Sequence, residues 1–220
     1  MEPETDPFDA PEIAPIDNRI TVLILQHPQE QDKSLGTAAL LAAELRNARL
    51  RVGLSWPNLA AALGRPADPY RWAVLYLGSA RPAALVPGET VVALDRHGAA
   101  LADQAAALAG IEGVVLLDGS WSQAKALWWR NPWLLKLRRI ALAPASPSRY
   151  GRVRREPRGE SLSTLEAAAL LLQRLEGKSE IGARLEAALD RLLASFGANA
   201  RQNPRRPRTD RRRRGRGGQR

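Results

Sequence analysis

The 220-residue sequence contains no cysteine, one methionine, two phenylalanines and two histidines. Without cysteine there is no disulfide, no thiolate metal ligand and no cysteine nucleophile. Two histidines without ligand spacing give no case for a metal. No uncharged apolar run reaches eighteen residues, so no membrane span is expected. The first residues lack a basic start followed by an apolar stretch, so no signal peptide is expected, and the cytoplasm is the expected address. Walker A, GxGxxG and GxSxG patterns are also missing, so kinase, dinucleotide-binding and esterase readings have no support.

What is present is a hydrophobic content of 45%, six tryptophans and a net charge of +10. A chain of this length and composition buries a real core. The charge is unevenly placed. Residues 1–19 hold six acids against one arginine, whereas residues 201–220 hold ten arginines against one aspartate. Between Arg130 and Arg158 there are nine basic residues and one acid, Glu156. One internal stretch and one tail carry the positive charge, as in a polyanion binder.

Residues 1–19 are acidic, proline-rich and aperiodic, and read as disordered. The apolar run Ile20–Leu25 reads as a buried strand, followed by the polar loop Gln26–Lys33 and a helix over about Thr37–Asn47. Further strands are expected at Leu50–Leu54, Arg71–Leu77, Thr90–Leu94, Gly113–Leu117 and Arg139–Leu142. Helices are expected at Pro57–Leu63, at Ala99–Ala109 and after Asp118. Leu162–Glu176 and Glu180–Phe196 read as long amphipathic helices, and residues 198–220 as a disordered arginine-rich tail. Strands alternating with helices predict an α/β fold, with a mostly parallel sheet covered by helices on both faces. The folded domain is expected to span 20–197.

Two stretches stand out. In Leu116–Trp129 an apolar strand ends on Asp118 and turns into a helix. In Arg149–Leu170 a run of arginines turns into another. Each helix opens with a capping box, Ser120 with Gln123 and Ser163 with Glu166. Ligands of such sheets sit beyond the carboxyl ends of strands, where Asp118 falls. Its carboxylate suits a general base, and capping is the alternative role. Trp121 suits stacking on a base, whereas Trp128, Trp129 and Trp133 read as core aromatics. The helix start around Ser161, Ser163, Thr164 and Glu166 offers free amides to an anion, although capping by itself explains Ser163 and Glu166. Arg149, Tyr150, Arg152, Arg154 and Arg155 interleave cations with an aromatic, as a nucleic-acid contact would. His27 and Glu30 follow the first strand and can meet the same cleft. These residues describe an RNA-binding α/β enzyme with its reaction open.

Asp118-Gly119-Ser120-Trp121, then Ser148-Arg149-Tyr150, then Leu162-Ser163-Thr164-Leu165-Glu166-Ala167 resemble the DTW-domain family of tRNA-uridine aminocarboxypropyltransferases, as does the opening block Leu25–Leu41. The likeness covers about Ile20–Phe196. It implies transfer of the 3-amino-3-carboxypropyl group of S-adenosylmethionine to N3 of a tRNA uridine, in the variable loop, with release of methylthioadenosine. It also implies a SPOUT-like, knotted α/β fold. On this resemblance Asp118 is the base. Leu117, Gly119, Ser120, Trp121, Ser161, Leu162, Ser163, Thr164 and Glu166 hold the cofactor, and the Arg149–Arg155 stretch binds tRNA. Two departures are visible. Many relatives carry an N-terminal cysteine cluster that this chain lacks, and Ser120 stands where the family has threonine, which keeps the hydroxyl. The alternatives are a SPOUT-type RNA methyltransferase and a non-enzymatic basic RNA-binding factor.

Overall fold

In a computed structural model of the chain, the described residues are 14–31, 36–75, 88–143 and 162–202, with side chains as far as 195. Six strands form one sheet: β1 (Thr21–Gln26), β2 (Ala48–Val52), β3 (Trp72–Leu75), β4 (Val91–Leu94), β5 (Gly113–Asp118) and β6 (Arg138–Leu142). The order is β2-β1-β5-β3-β6-β4. All neighbours are parallel except β4, which runs antiparallel to β6.

The run Thr21–Gln26 forms the interior strand because its side chains alternate between two apolar layers. Val22 and Ile24 join Val114 and Leu116 of β5 on one face. Leu23 and Leu25 join Val115 on the other. A strand buried on both faces needs such a continuous apolar run. The first layer is closed by α1 (Thr37–Glu44), α5 (Thr164–Glu176) and α6 (Ser179–Gln202), through Leu41, Leu165, Leu172, Ile181 and Leu185. The second is closed by α2 (Leu59–Leu63), Trp133 and Leu134 in a 3-10 turn over Pro132–Lys136, and Trp128 of α4 (Trp121–Arg130). The remaining helix is α3 (Gln104–Leu108). No helix among the described residues is long and apolar enough to cross a membrane.

Several boundaries differ from those read in the sequence. Residues 14–19, assigned there to an unstructured segment, are docked. Ile16 is buried and bonded through its backbone to Glu44 and Arg46. Asn18 is 1% exposed and accepts from the Asn47 amide at 2.9 Å. One isoleucine and one asparagine suffice for this, and a composition average hides both. At the other end α6 continues to Gln202, past the expected start of the tail. The helix expected from residue 99 begins at Gln104, because the preceding chain folds back on β4, with the Leu101 amide donating to the Ala93 carbonyl at 3.0 Å. Trp129, expected in the core, is 79% exposed, because the inward positions of α4 are taken by Ala124 and Leu127. Of the expected strand Arg71–Leu77, residues 71–75 are described: Arg71 ends a 3-10 turn and Trp72–Leu75 form the strand.

Candidate active site

From β1 the chain moves outward to β2, and later crosses to the opposite side of β5 to lay down β3. The carboxyl ends of β1 and β5 therefore lie where the direction of winding changes, which is where open α/β sheets bind ligands. The final register pair of those strands is Gln26 with Asp118. Gln26, 4% exposed, donates from Nε2 to Asp118 Oδ2 at 2.9 Å. Thr164, the first residue of α5, donates its hydroxyl to Asp118 Oδ1. One carboxylate thus ties two strands and the start of a helix 46 residues away in sequence. An ionised carboxylate has about four lone-pair sites, so Asp118 can accept a further hydrogen bond or a proton on either oxygen.

The surrounding loops are fixed by backbone chemistry. The His27 amide donates to the Asp118 carbonyl at 3.0 Å, and the Gly53 amide to the Gln26 carbonyl at 3.1 Å. His27 caps the 3-10 turn Pro28–Glu30 by accepting from the Gln29 amide. Gly119 has a φ of +157°, and a Cβ there would lie 2.9 Å from that of Gln123. A larger residue would push β5 away from α4, so glycine is required between the carboxylate and the helix. Gln123 Oε1 accepts from the Ser120 amide at 2.6 Å, while its Nε2 reaches Gln29 Oε1 at 3.2 Å, joining the helix start to the His27 loop. At the other helix start, Ser163 is buried, and both its amide and its hydroxyl donate to Glu166 Oε2 at 2.8 Å.

The two helix starts singled out in the sequence are thus brought together, and Thr164 makes the link. Leu117 and Leu162 are half-buried, and Trp121 is 38% exposed at the head of α4. Ser161, Arg149, Tyr150, Arg152, Arg154 and Arg155 lie outside the described residues. Glu30 is buried, 4% exposed, beneath the His27 turn. Gln26 was missed because it reads as the first residue of a polar loop. The available signal was that Gln26 and Asp118 each close an apolar run with a side chain able to bond sideways. Among the described residues no group of three His, Cys, Asp or Glu side chains is placed to hold a metal.

A cavity of roughly 400 Å³ lies at the opposite, amino-terminal end of the sheet, lined by residues including Arg19, Thr21, Arg65, Arg71 and Glu112. Its arginines already have partners within the fold. Arg19 donates to the Leu175 carbonyl at 3.2 Å, Arg65 to the Thr21 hydroxyl at 3.2 Å, and Arg71 pairs with Glu112 at 2.7 Å. Chemistry favours the Asp118 end, where a carboxylate stands at the strand-order switch.

These features define an α/β domain with a mostly parallel sheet and a candidate site at the carboxyl ends of its central strands. The DTW domain family matches residues 9–197, and the chain belongs to that family. It is 35% identical over 162 residues to tRNA-uridine aminocarboxypropyltransferase 2 of Drosophila melanogaster, covering 73% of this chain and 58% of that protein. The proteins of the same name from Macaca fascicularis and Mus musculus are each 30% identical, over 72% and 74% of this chain and 48% and 50% of theirs. The chain therefore spans about half the length of the curated relatives it matches. No solved structure matches it significantly.

Proposed function

We propose that this protein is a tRNA-uridine aminocarboxypropyltransferase that transfers the 3-amino-3-carboxypropyl group of S-adenosylmethionine to N3 of a uridine in the tRNA variable loop. The observation that carries the reading is Asp118, held by Gln26 and Thr164 where the two helix starts of a DTW domain meet. The relatives' names supply the reaction class.

The residues present suit such a donor. Its methionyl end carries an ammonium and a carboxylate. The start of the thirteen-residue helix α5 offers the Glu166 carboxylate to the first, and backbone amides with a positive dipole end to the second. Leu117, Gly119 and Ser120 supply backbone beside it, Ser161 and Leu162 flank it in sequence, and the part-exposed Trp121 offers a face to a purine. S-adenosylmethionine, when bound, supplies a carbon made electrophilic by the neighbouring sulfonium. In the reaction the uridine N3–carbon bond forms, the carbon–sulfur bond breaks, the sulfur departs as the neutral thioether of methylthioadenosine, and the N3 proton passes to Asp118. Acid–base assistance of this kind is worth about 10²–10⁴-fold. Gln26 and Thr164 fix the carboxylate, so that the oxygen accepting the proton is set in place before the nucleotide arrives.

The basic stretch between Arg130 and Arg158 supports tRNA as the partner, with Arg149, Tyr150, Arg152, Arg154 and Arg155 as the binding wall and the arginine-rich tail as a salt-sensitive supplement. The same reading takes the sheet as SPOUT-like and knotted and the protein as cytoplasmic. The mostly parallel six-stranded sheet is consistent with that fold, and a crystal structure tracing the chain between β6 and α5 tests the knot. The reaction is tested by nucleoside mass spectrometry of tRNA incubated with S-adenosylmethionine. An aminocarboxypropyl-uridine is expected with the wild-type protein and none with Asp118→Ala, which should still bind tRNA. A methylated product in place of it, or full activity in the variant, overturns the assignment.

A further inference from the structure

The cavity at the amino-terminal end of the sheet has a lining of one chemical kind. Strand register sets its floor: Thr21 of β1 lies beside Gly113 of β5, which lies beside Trp72 of β3. Gly113 has no side chain, and the indole of Trp72 fills the space that a Cβ would need. Arg19 stands two residues before β1, and Arg71 and Glu112 stand immediately before β3 and β5. Arg65 arrives from α2, which ends at Gly64 with a φ of +81°, so that the next residue reaches back to Thr21.

The bonds made there use up acceptors and leave donors. The Leu175 carbonyl takes one N–H of Arg19, the Thr21 hydroxyl oxygen takes one of Arg65, and the Gly110 carbonyl and Glu112 take two of Arg71. A guanidinium has five N–H groups. These contacts therefore hold three exposed arginines in place without exhausting them. The Thr21 hydroxyl accepts from Arg65 and keeps its own proton to give. Trp72 is 2% exposed, and no described residue accepts from its indole N–H. That nitrogen is not sealed in, because the one fully enclosed side-chain polar atom without a partner among the described residues is Glu176 Oε2. The small part of Trp72 left open thus includes its nitrogen, at the cavity it lines.

Three arginines against the single carboxylate of Glu112, which is already paired, leave the lining with a net charge of +2. Donors rise from the floor at Thr21 and Trp72 and reach in from the sides at Arg19, Arg65 and Arg71. That arrangement suits a tetrahedral oxyanion better than a planar one. A phosphate monoester carries about −1.5 to −2 charges at neutral pH and three strong acceptor oxygens, and guanidinium forks match its geometry. We propose that this cavity binds a phosphate group. It holds donors and no free base, so it binds without taking part in proton transfer. It lies about 20 Å from the Asp118 end, the length of the six-residue strand β1.

The probe is inorganic phosphate, titrated into the full-length ¹⁵N-labelled protein at constant ionic strength and followed through the indole N–H resonances. The arginine-rich tail also attracts anions, so the reading must be specific to the cavity. The Trp72 resonance, identified by its loss in Trp72→Phe, is expected to move and to saturate. Arg65→Gln and Arg19→Gln should each weaken binding about tenfold to a hundredfold, the range for losing a charge-assisted hydrogen bond. Both side chains are exposed, so these variants should keep the wild-type unfolding curve. Trp72→Phe, read by calorimetry, should weaken binding about twofold to tenfold through loss of a neutral donor. An oligouridylate with and without a 5′-phosphate then identifies the source of the group. A shift confined to inorganic phosphate or the 5′-phosphorylated oligomer assigns the cavity to a phosphate monoester, whereas a shift with the unphosphorylated oligomer assigns it to the RNA backbone. A Trp72 resonance unmoved by all three, or a phosphate affinity that Arg65→Gln and Arg19→Gln leave unchanged, overturns the proposal. None of these readings needs a modified uridine, so they stand apart from the transferase assignment.

Discussion

The two ends of the sheet are built from opposite chemistry. At the carboxyl end the side chains that close β1 and β5, Gln26 and Asp118, bond to each other and to the hydroxyl of Thr164. At the amino end the polar groups are long cations, and they terminate on carbonyls, a hydroxyl and Glu112. Beneath them Trp72, 2% exposed, lies against Gly113 so closely that a Cβ there would meet the indole at 2.5 Å. Both ends are polar. The difference is that donors at the amino end satisfy the fold's own acceptors, whereas the carboxyl end keeps a carboxylate with lone pairs to offer. Concavity marks where the fold leaves room, and unused bonding capacity marks where chemistry can occur.

If the two ends divide stability from activity in this way, substitutions should separate them. The largest effect belongs to Trp72→Ala, which should lower stability by about 3–5 kcal/mol in a denaturant melt, while the folded fraction keeps its activity. Loss of activity per folded molecule would make the amino end part of the site. Asp118→Asn should do the opposite, reducing product formation about 100-fold or more with an unfolding midpoint close to wild type. Thr164→Val removes a single hydrogen bond to that carboxylate. A rate near one tenth of wild type and about 1 kcal/mol of lost stability are expected, and a rate unaffected by the change would show that Asp118 needs no tether. Arg71→Ala breaks a half-exposed ion pair with Glu112 and should cost under about 1 kcal/mol with no change in activity.

The smallest effect is confined to acid. Amides of Ala99 and His97 donate to Asp95 and hold its carboxyl below the usual carboxylate range. A depressed folded-state value means that the turn's contribution is complete above the ordinary carboxylate pKa and disappears as the pH falls through the lowered one. A carboxyl titration of Asp95 by NMR should show this displacement while activity at neutral pH ignores Asp95→Asn.

The layered α/β architecture was legible because apolar runs such as Ile20–Leu25 and Gly113–Leu117 are short, β-branched and uninterrupted, and few folds bury such runs. Asp118 and the two capping boxes were legible because capping chemistry is local. Gln26 was not, since its meaning depends on the register between β1 and β5, which no local pattern records. Trp129 was misread for a related reason. Periodicity places it beside Trp128, and which of the two faces inward is settled by the rotation of α4 on the sheet, fixed by Ala124 and Leu127. The docked segment 14–19 depends on two residues, Ile16 and Asn18, in an otherwise acidic stretch.

The outer strands of the sheet bear on how the protein behaves in a crowded solution. An open strand edge is a template for pairing with another chain. On one side β2 is five residues long and carries exposed Arg49 and Arg51. On the other, the side-chain amide of Gln104 accepts from the Ala93 amide at 2.7 Å and donates to its carbonyl at 3.1 Å, imitating the backbone of one more strand. The Leu101 amide meets the same carbonyl. One glutamine and a short fold-back thus occupy the bonding positions of β4 through which the core could otherwise recruit a neighbour. In a chain rich in leucine and alanine, that closure protects this edge from edge-to-edge aggregation.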